Sequence, residues 1–188
     1  MIYDGSELID EVIAAAGYNR ADTERIGLHG LAIVELVGPG GNLKQRLVIP
    51  NLITQVGDQV YGERGSGAAA PTAPTGMRLG TGGATAAAKT GPGAAIVTYT
   101  TGSNKVFDST PASSLNGSSR RITYVTTWAA GTVTANSMDE AVITNETGPT
   151  NVAGTAANTI ARFVMSPVVN KGALDQLVIT WTNDLLGA

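Results

Sequence analysis

Apolar residues recur at two different spacings along this chain. Near the start, Leu8, Ile9, Val12 and Ile13 fall on one stripe at helical spacing. Ser6 stands as an N-cap, Glu7 and Asp10 supply an acidic first turn, and Gly17 closes the segment as a C-cap glycine would. A helix this short is marginal alone, so its stripe must dock on something. The polar link YNRADTER at 18–25 gives it reach. Residues 1–27 are therefore read as an N-terminal arm whose main contacts lie outside the domain that follows.

From residue 28 the spacing shortens to that of strands. The pattern predicts strands over 28–37, 43–49, 77–80, 95–101, 120–130, 139–144, 159–165 and 174–182. GPGG at 38–41 turns the first hairpin, and Pro50 and Asn51 are expected to break its second strand. One helix is predicted over 51–65 on Leu52, Ile53, Val56 and Val60, with Gly57 weakening it. Residues 65–76 read as a loop. Period two is clearest at Ile122, Tyr124, Thr126 and Trp128, and again at Leu177, Ile179 and Trp181. Those two tryptophans are expected to anchor a core between two sheets. Eight strands is the count of a jelly roll. The fold expected is mainly β: a jelly-roll-like antiparallel β-sandwich over 28–188, with a helical arm before it and one helix after the first hairpin.

Composition changes this picture in a few places. Only 14% of the 188 residues are charged, as suits a surface covered by neighbouring subunits. The net charge of −3 argues against wrapping nucleic acid. The absence of cysteine excludes disulfides and thiolate metal sites. The acidic first residues do not resemble a signal peptide, and no apolar run has the length of a membrane span. Synthesis and assembly in a cytoplasm are expected, so the sequons at Asn116 and Asn145 carry little meaning.

The stretch GMRLGTGGATAAAKTGPGAA at 76–95 invites a nucleotide-binding reading. A phosphate loop needs G-x-x-x-x-G-K-[ST] between a strand and a helix. Gly83, Lys89 and Thr90 fit, but Ala88 replaces the second glycine, and Gly91-Pro92-Gly93 cannot open a helix. The dinucleotide pattern fails at Thr85. A strand end followed by a flexible loop is expected instead. His29, the only histidine, sits among apolar neighbours and is not expected to act in catalysis. Asp139, Glu140 and Glu146 could suggest a metal cage, but calcium-loop spacing is missing, so a solvated cluster beside a turn is expected. Arg120 and Arg121 point to opposite faces of a strand and form no patch. Tyr124, Trp128 and Trp181 are expected to pack in the core rather than stack on a sugar. Neither G-x-S-x-G nor H-E-x-x-H occurs.

Four segments follow one another in a familiar order: LVIPNLITQVGDQVY (47–61), MRLGTGGATAA (77–87), MDEAVITN (138–145) and ARFVMSPVVNKGALDQLVITWT (161–182). Together they resemble a widespread class of tailed-bacteriophage virion proteins. That class shows V-x-N-x-I-T-x-x-G, a strand ending L-G-T-G, an I-x-E-A strand, and a final hairpin that opens R-x-x-x-x-P-V and closes L-x-I-T-W. Asn51, Ile53, Thr54 and Gly57 match the first motif, and Leu79–Gly82 the second. Glu140 and Ala141 match the third, with Met138 in place of the isoleucine. Arg162, Pro167, Val168, Lys171, Ile179, Thr180 and Trp181 match the last. The resemblance covers roughly residues 43–182 and leaves the first forty unplaced.

These motifs are structural. The resemblance therefore implies a non-enzymatic virion protein, with no catalytic residue, cofactor or metal to carry over. The class occurs in heads, necks and tail fibres. A capsid decoration or cement protein is the preferred expectation, because the chain lacks a long repetitive shaft and carries an arm suited to clasping neighbours through Leu8, Ile9, Val12 and Ile13. The partner implied is the major capsid protein, with a homotrimer at threefold junctions by analogy, and neither nucleic acid nor membrane. A neck or tail-fibre attachment protein is the alternative within the class, and a glycan-binding β-sandwich module the alternative outside it.

Overall fold

The structure is a computed structural model that describes residues 28–69, 71–117, 119–146 and 155–185. The predicted arm, with Leu8, Ile9, Val12 and Ile13, lies outside the described residues. Nine strands form one antiparallel sheet: β1 (Leu28–Val37), β2 (Leu43–Ile53), β3 (Gly76–Gly80), β4 (Lys105–Val106), β5 (Ala112–Asn116), β6 (Ser119–Trp128), β7 (Ala135–Thr144), β8 (Thr159–Lys171) and β9 (Gln176–Leu185). Their order across the sheet is β4-β3-β7-β8-β2-β1-β9-β6-β5. Helix α1 (Gln55–Ser66) follows β2, and a 3-10 turn occupies Pro92–Ala94.

The sheet curls until its two ends meet. The Asp108 N–H donates to the Val125 carbonyl of β6 at 2.9 Å, and Trp128 Nε1 donates to the Ser103 carbonyl at 2.8 Å. Phe163 of β8 and Trp181 of β9 are separated in strand order by β2 and β1. Their rings nevertheless meet across the interior, with centroids 4.6 Å apart. Alternation explains the inside. Ala32, Val34 and Leu36 of β1 face inward, as do Tyr124, Thr126 and Trp128 of β6 and Leu177, Ile179 and Trp181 of β9. Both tryptophans are buried, as their strand faces predict.

Strands β3, β7 and β8 behave differently, with runs that are buried on both faces. The glycine-rich loop after β3 covers them at Glu140 and Arg162, while α1 packs Val60 into the core. Thr54 caps α1 by accepting from the Gly57 N–H, so the helix begins four residues later than the apolar pattern suggests. Gly57 is there for contact rather than by default: a Cβ on it would lie 2.2 Å from the Ile160 carbonyl oxygen.

Pro50 and Asn51 do not break β2, which runs on to Ile53 with Pro50 opposite Leu31 and Asn51 opposite Gly30. The strand expected over 95–101 is not formed. That stretch touches the sheet through one bridge, Tyr99 to Gly80, because the amides of Val97 and Thr98 turn to a carboxylate instead of a neighbouring strand. β4 and β5 were not foreseen. Both are short, and β5 is exposed at every residue, so no apolar alternation marks it.

Candidate functional site

The glycine loop has a charged centre, and the charge belongs to the chain itself. Glu140, on β7, is fully buried. Its Oε1 accepts from the backbone N–H groups of Gly82 at 2.9 Å, Thr98 at 2.9 Å and Val97 at 3.1 Å. Its Oε2 accepts from Arg162 Nη2 at 2.8 Å and Nε at 3.2 Å. Arg162, also fully buried, donates in addition to the carbonyls of Gly93 and Gly82, each at 3.3 Å. Next to this pair, Asp139 Oδ1 accepts from the Gly83 N–H at 2.7 Å.

Converging amides are what a phosphate loop offers an anion. Here those at 82, 97 and 98 are taken by Glu140. The glycines are required by proximity: a Cβ at Gly80 would lie 2.4 Å from Glu140 Oε1, and one at Gly83 would lie 2.6 Å from Asp139 Cγ. Lys89, the residue a nucleotide would need, is on the surface and paired with Asp58 at 2.6 Å. The arrangement ties an irregular loop to two strands.

The acidic residues are therefore not the solvated cluster expected beside a turn. Glu140 is in the interior, and Glu146 pairs with the buried guanidinium of Arg78 and accepts from Asn158. The reason is that β7 is apolar at both parities, so both of its faces are covered. Among the described residues no three His, Cys, Asp or Glu side chains are grouped to hold a metal ion.

Other charged and polar groups also hold backbone or each other. Lys171 Nζ donates to the carbonyls of Ala129 at 3.0 Å and Thr132 at 2.7 Å, pinning the β6–β7 turn. Burial pulls its pKa below the usual lysine range, against the opposing influence of Asp175. Arg121 pairs with Asp184 of β9 through two contacts of 2.8 Å, and Arg120 lies apart from it. Asn51, Asn183, Tyr61 and Tyr124 form a chain of hydrogen bonds at 3.3, 2.9 and 2.7 Å. Burial raises the pKa of both tyrosines, and Tyr61 raises that of Tyr124 further. His29 lies on β1 opposite Asp184. Tyr124, Trp128 and Trp181 are all buried, so none presents a ring to a sugar.

A cleft of about 450 Å³ lies between β2 and β8, under the loop at Ala84–Ala87. Sequence reasoning missed both this cleft and the Glu140–Arg162 pair. The acids Asp139 and Glu140 at the start of the apolar run MDEAVIT were the available signal for the pair.

Comparison of the chain with protein-family models, curated proteins and solved structures gave no match.

Proposed function

We propose that this chain is a non-enzymatic structural protein of a tailed-phage virion, and that it acts as a capsid decoration or cement protein. The curled sheet is read as a jelly-roll-like sandwich that sits on the particle, with a homotrimer bridging subunits of the major capsid protein. The arm stripe of Leu8, Ile9, Val12 and Ile13 is read as a contact with those neighbours.

The observation that supports this reading best is where the residues of the resemblance fall. Glu140 and Arg162 form the buried pair, and Gly82 gives it an amide and a carbonyl. Thr54 caps α1, Gly57 lets the helix approach β8, and Lys171 pins a turn. The shared motifs thus describe how loops are tied to a scaffold, as expected of a class defined by its architecture. Such a protein would act by burying surface across subunit junctions.

Copy number in purified particles tests the proposal. Hundreds of copies per particle, seen on a calibrated gel or in a reconstruction, is the result expected of a cement protein. A ring's worth would move the protein to the neck or tail. Its absence from particles would end the virion reading.

A further inference from the structure

Strand β2 has two neighbours and pairs with them unequally. Against β1 it pairs from Leu43 to Asn51, but against β8 only at Leu52↔Arg162 and Ile53↔Ala161. The N–H of Thr54 donates to the Ile160 carbonyl at 3.0 Å. Backbone groups alternate sides along a strand, so Leu52 and Pro50 share the edge that faces β8. Pro50 has no N–H to give, and the ladder ends before it. Farther along, Gln45 Nε2 reaches the Val168 carbonyl at 3.2 Å, so the two strands come back within a side chain's length. Between these points the sheet is parted. The opening is the cleft of about 450 Å³, walled by Ile49, Pro50, Leu52, Phe163 and Val164. That volume is within the roughly 300–1,000 Å³ typical of binding pockets.

The chain outside the described residues joins the fold at this place. β1 begins at Leu28, and Gly30 pairs with Asn51, a wall residue of the cleft. Leu28, to which residues 1–27 are joined, therefore lies near this end of β2. Those residues carry the stripe of Leu8, Ile9, Val12 and Ile13, with Glu7, Asp10 and Glu11 interleaved as a polar face. Residues 14–27, at about 3.3 Å each when extended, reach much farther than the return requires. A tether that short holds the stripe near its own domain at roughly millimolar effective concentration. A second molecule must supply the same stripe from bulk solution.

We propose that the cleft between β2 and β8 is the seat of the N-terminal segment of the same chain in the unassembled protein, filled by Leu8, Ile9, Val12 and Ile13. The stripe is then covered before any partner is met, and assembly would release it to a neighbour. The seat stands independently of the virion reading.

The chain contains no cysteine, so introduced pairs report cleanly. The full-length double variant Val12→Cys with Ala86→Cys places one thiol on the stripe and one on the exposed rim of the cleft. Val12→Cys with Ser114→Cys, on the outer strand β5, is the control. Under mild oxidation at low protein concentration, the first pair is expected to close within one chain at least tenfold faster than the second. Equal rates would overturn the seat. Predominant cross-linked dimers would overturn it in favour of a neighbour's cleft. Val12→Asp in the full chain supplies a second reading, with an increase of several-fold in the fluorescence of a hydrophobic dye and an unchanged circular dichroism spectrum. If wild type and Val12→Asp bind dye equally, the cleft is open in both and the proposal fails.

Discussion

Replacing Glu140 by alanine should remove most of what holds the glycine loop to the sheet. The carboxylate accepts from three backbone amides and from two nitrogens of Arg162, and both partners of the ion pair are fully buried. Stripping the anion from a buried guanidinium costs about 3–5 kcal/mol. The Gly82 amide is buried and would lose its acceptor, for a further cost of about 1–3 kcal/mol. Val97 and Thr98 are exposed, so water can replace the carboxylate there. The sum, about 4–8 kcal/mol, is a large part of the roughly 5–15 kcal/mol that keeps a domain folded. Urea unfolding measures it: with an m-value of about 1–3 kcal/mol per molar, the midpoint should fall by more than about 1 M. The double variant Glu140→Met with Arg162→Met separates charge from loop anchoring. A buried pair replaced by apolar residues is often neutral. Here the Gly82 amide and the Gly82 and Gly93 carbonyls still lose partners, so the double variant should recover only part of the loss. Stability of Glu140→Ala within about 1 kcal/mol of wild type would refute the reasoning, as would full recovery in the double variant.

Three further outcomes follow from the same structure. Gly57→Ala should destabilise by about 1–3 kcal/mol despite the better helix propensity of alanine, because its Cβ would meet the Ile160 carbonyl at 2.2 Å. Gly62→Ala, in the same helix with open space around it, should stabilise by about 0.5–1 kcal/mol; thermal melts of the two variants check the opposite signs. Trp128→Phe should cost more than Trp181→Phe in urea unfolding, since Trp128 Nε1 donates to the Ser103 carbonyl while Trp181 Nε1 has no acceptor among the described residues. Tyr61 and Tyr124 hold their protons more tightly in the folded state than unfolded, so their contribution to stability should be constant below about pH 10 and be lost as the pH rises beyond it. In the folded protein, Tyr61 and Tyr124 should then resist ionisation near pH 10 when followed by absorbance.

Strands with one wet face could be read from the chain, and strands with none could be read only in part. β1, β6 and β9 alternate cleanly, and their inward residues are the ones the spacing selects. β7 and β8 extend beyond their predicted limits through residues 135–138 and 166–171, where exposed residues interrupt the apolar pattern that marks the rest of each strand. β5 has no buried residue and so leaves no apolar trace. Pro50 was legible as a breaker, but the wrong structure was assigned to it. Its missing N–H points to the β8 edge, so it ends that ladder while β2 continues along β1.

The glycines at 80, 82 and 83 and the acid at 140 are two halves of one feature. In MDEAVIT the strand has apolar neighbours at both parities, and Glu140 is buried among them while Asp139 is half-buried. A buried carboxylate must be met by donors, and the densest compact donors are backbone amides. Where the chain passes closest to the carboxylate, at Gly80 and Gly82, a Cβ would collide with it, which calls for glycine at the approach. Gly82→Ala should therefore injure the same loop from the other side. Its Cβ would lie 2.4 Å from Val97 Cβ and 2.6 Å from Glu140 Oε1, so the loop must lift to admit it. Hydrogen exchange at the amides of Val97 and Thr98 should then accelerate as it does in Glu140→Ala, while the amide of Thr54, bonded to the Ile160 carbonyl at 3.0 Å on the far side of α1's cap, should keep its protection. Unchanged exchange at 97 and 98 in Gly82→Ala would mean that the loop is held by contacts other than this carboxylate.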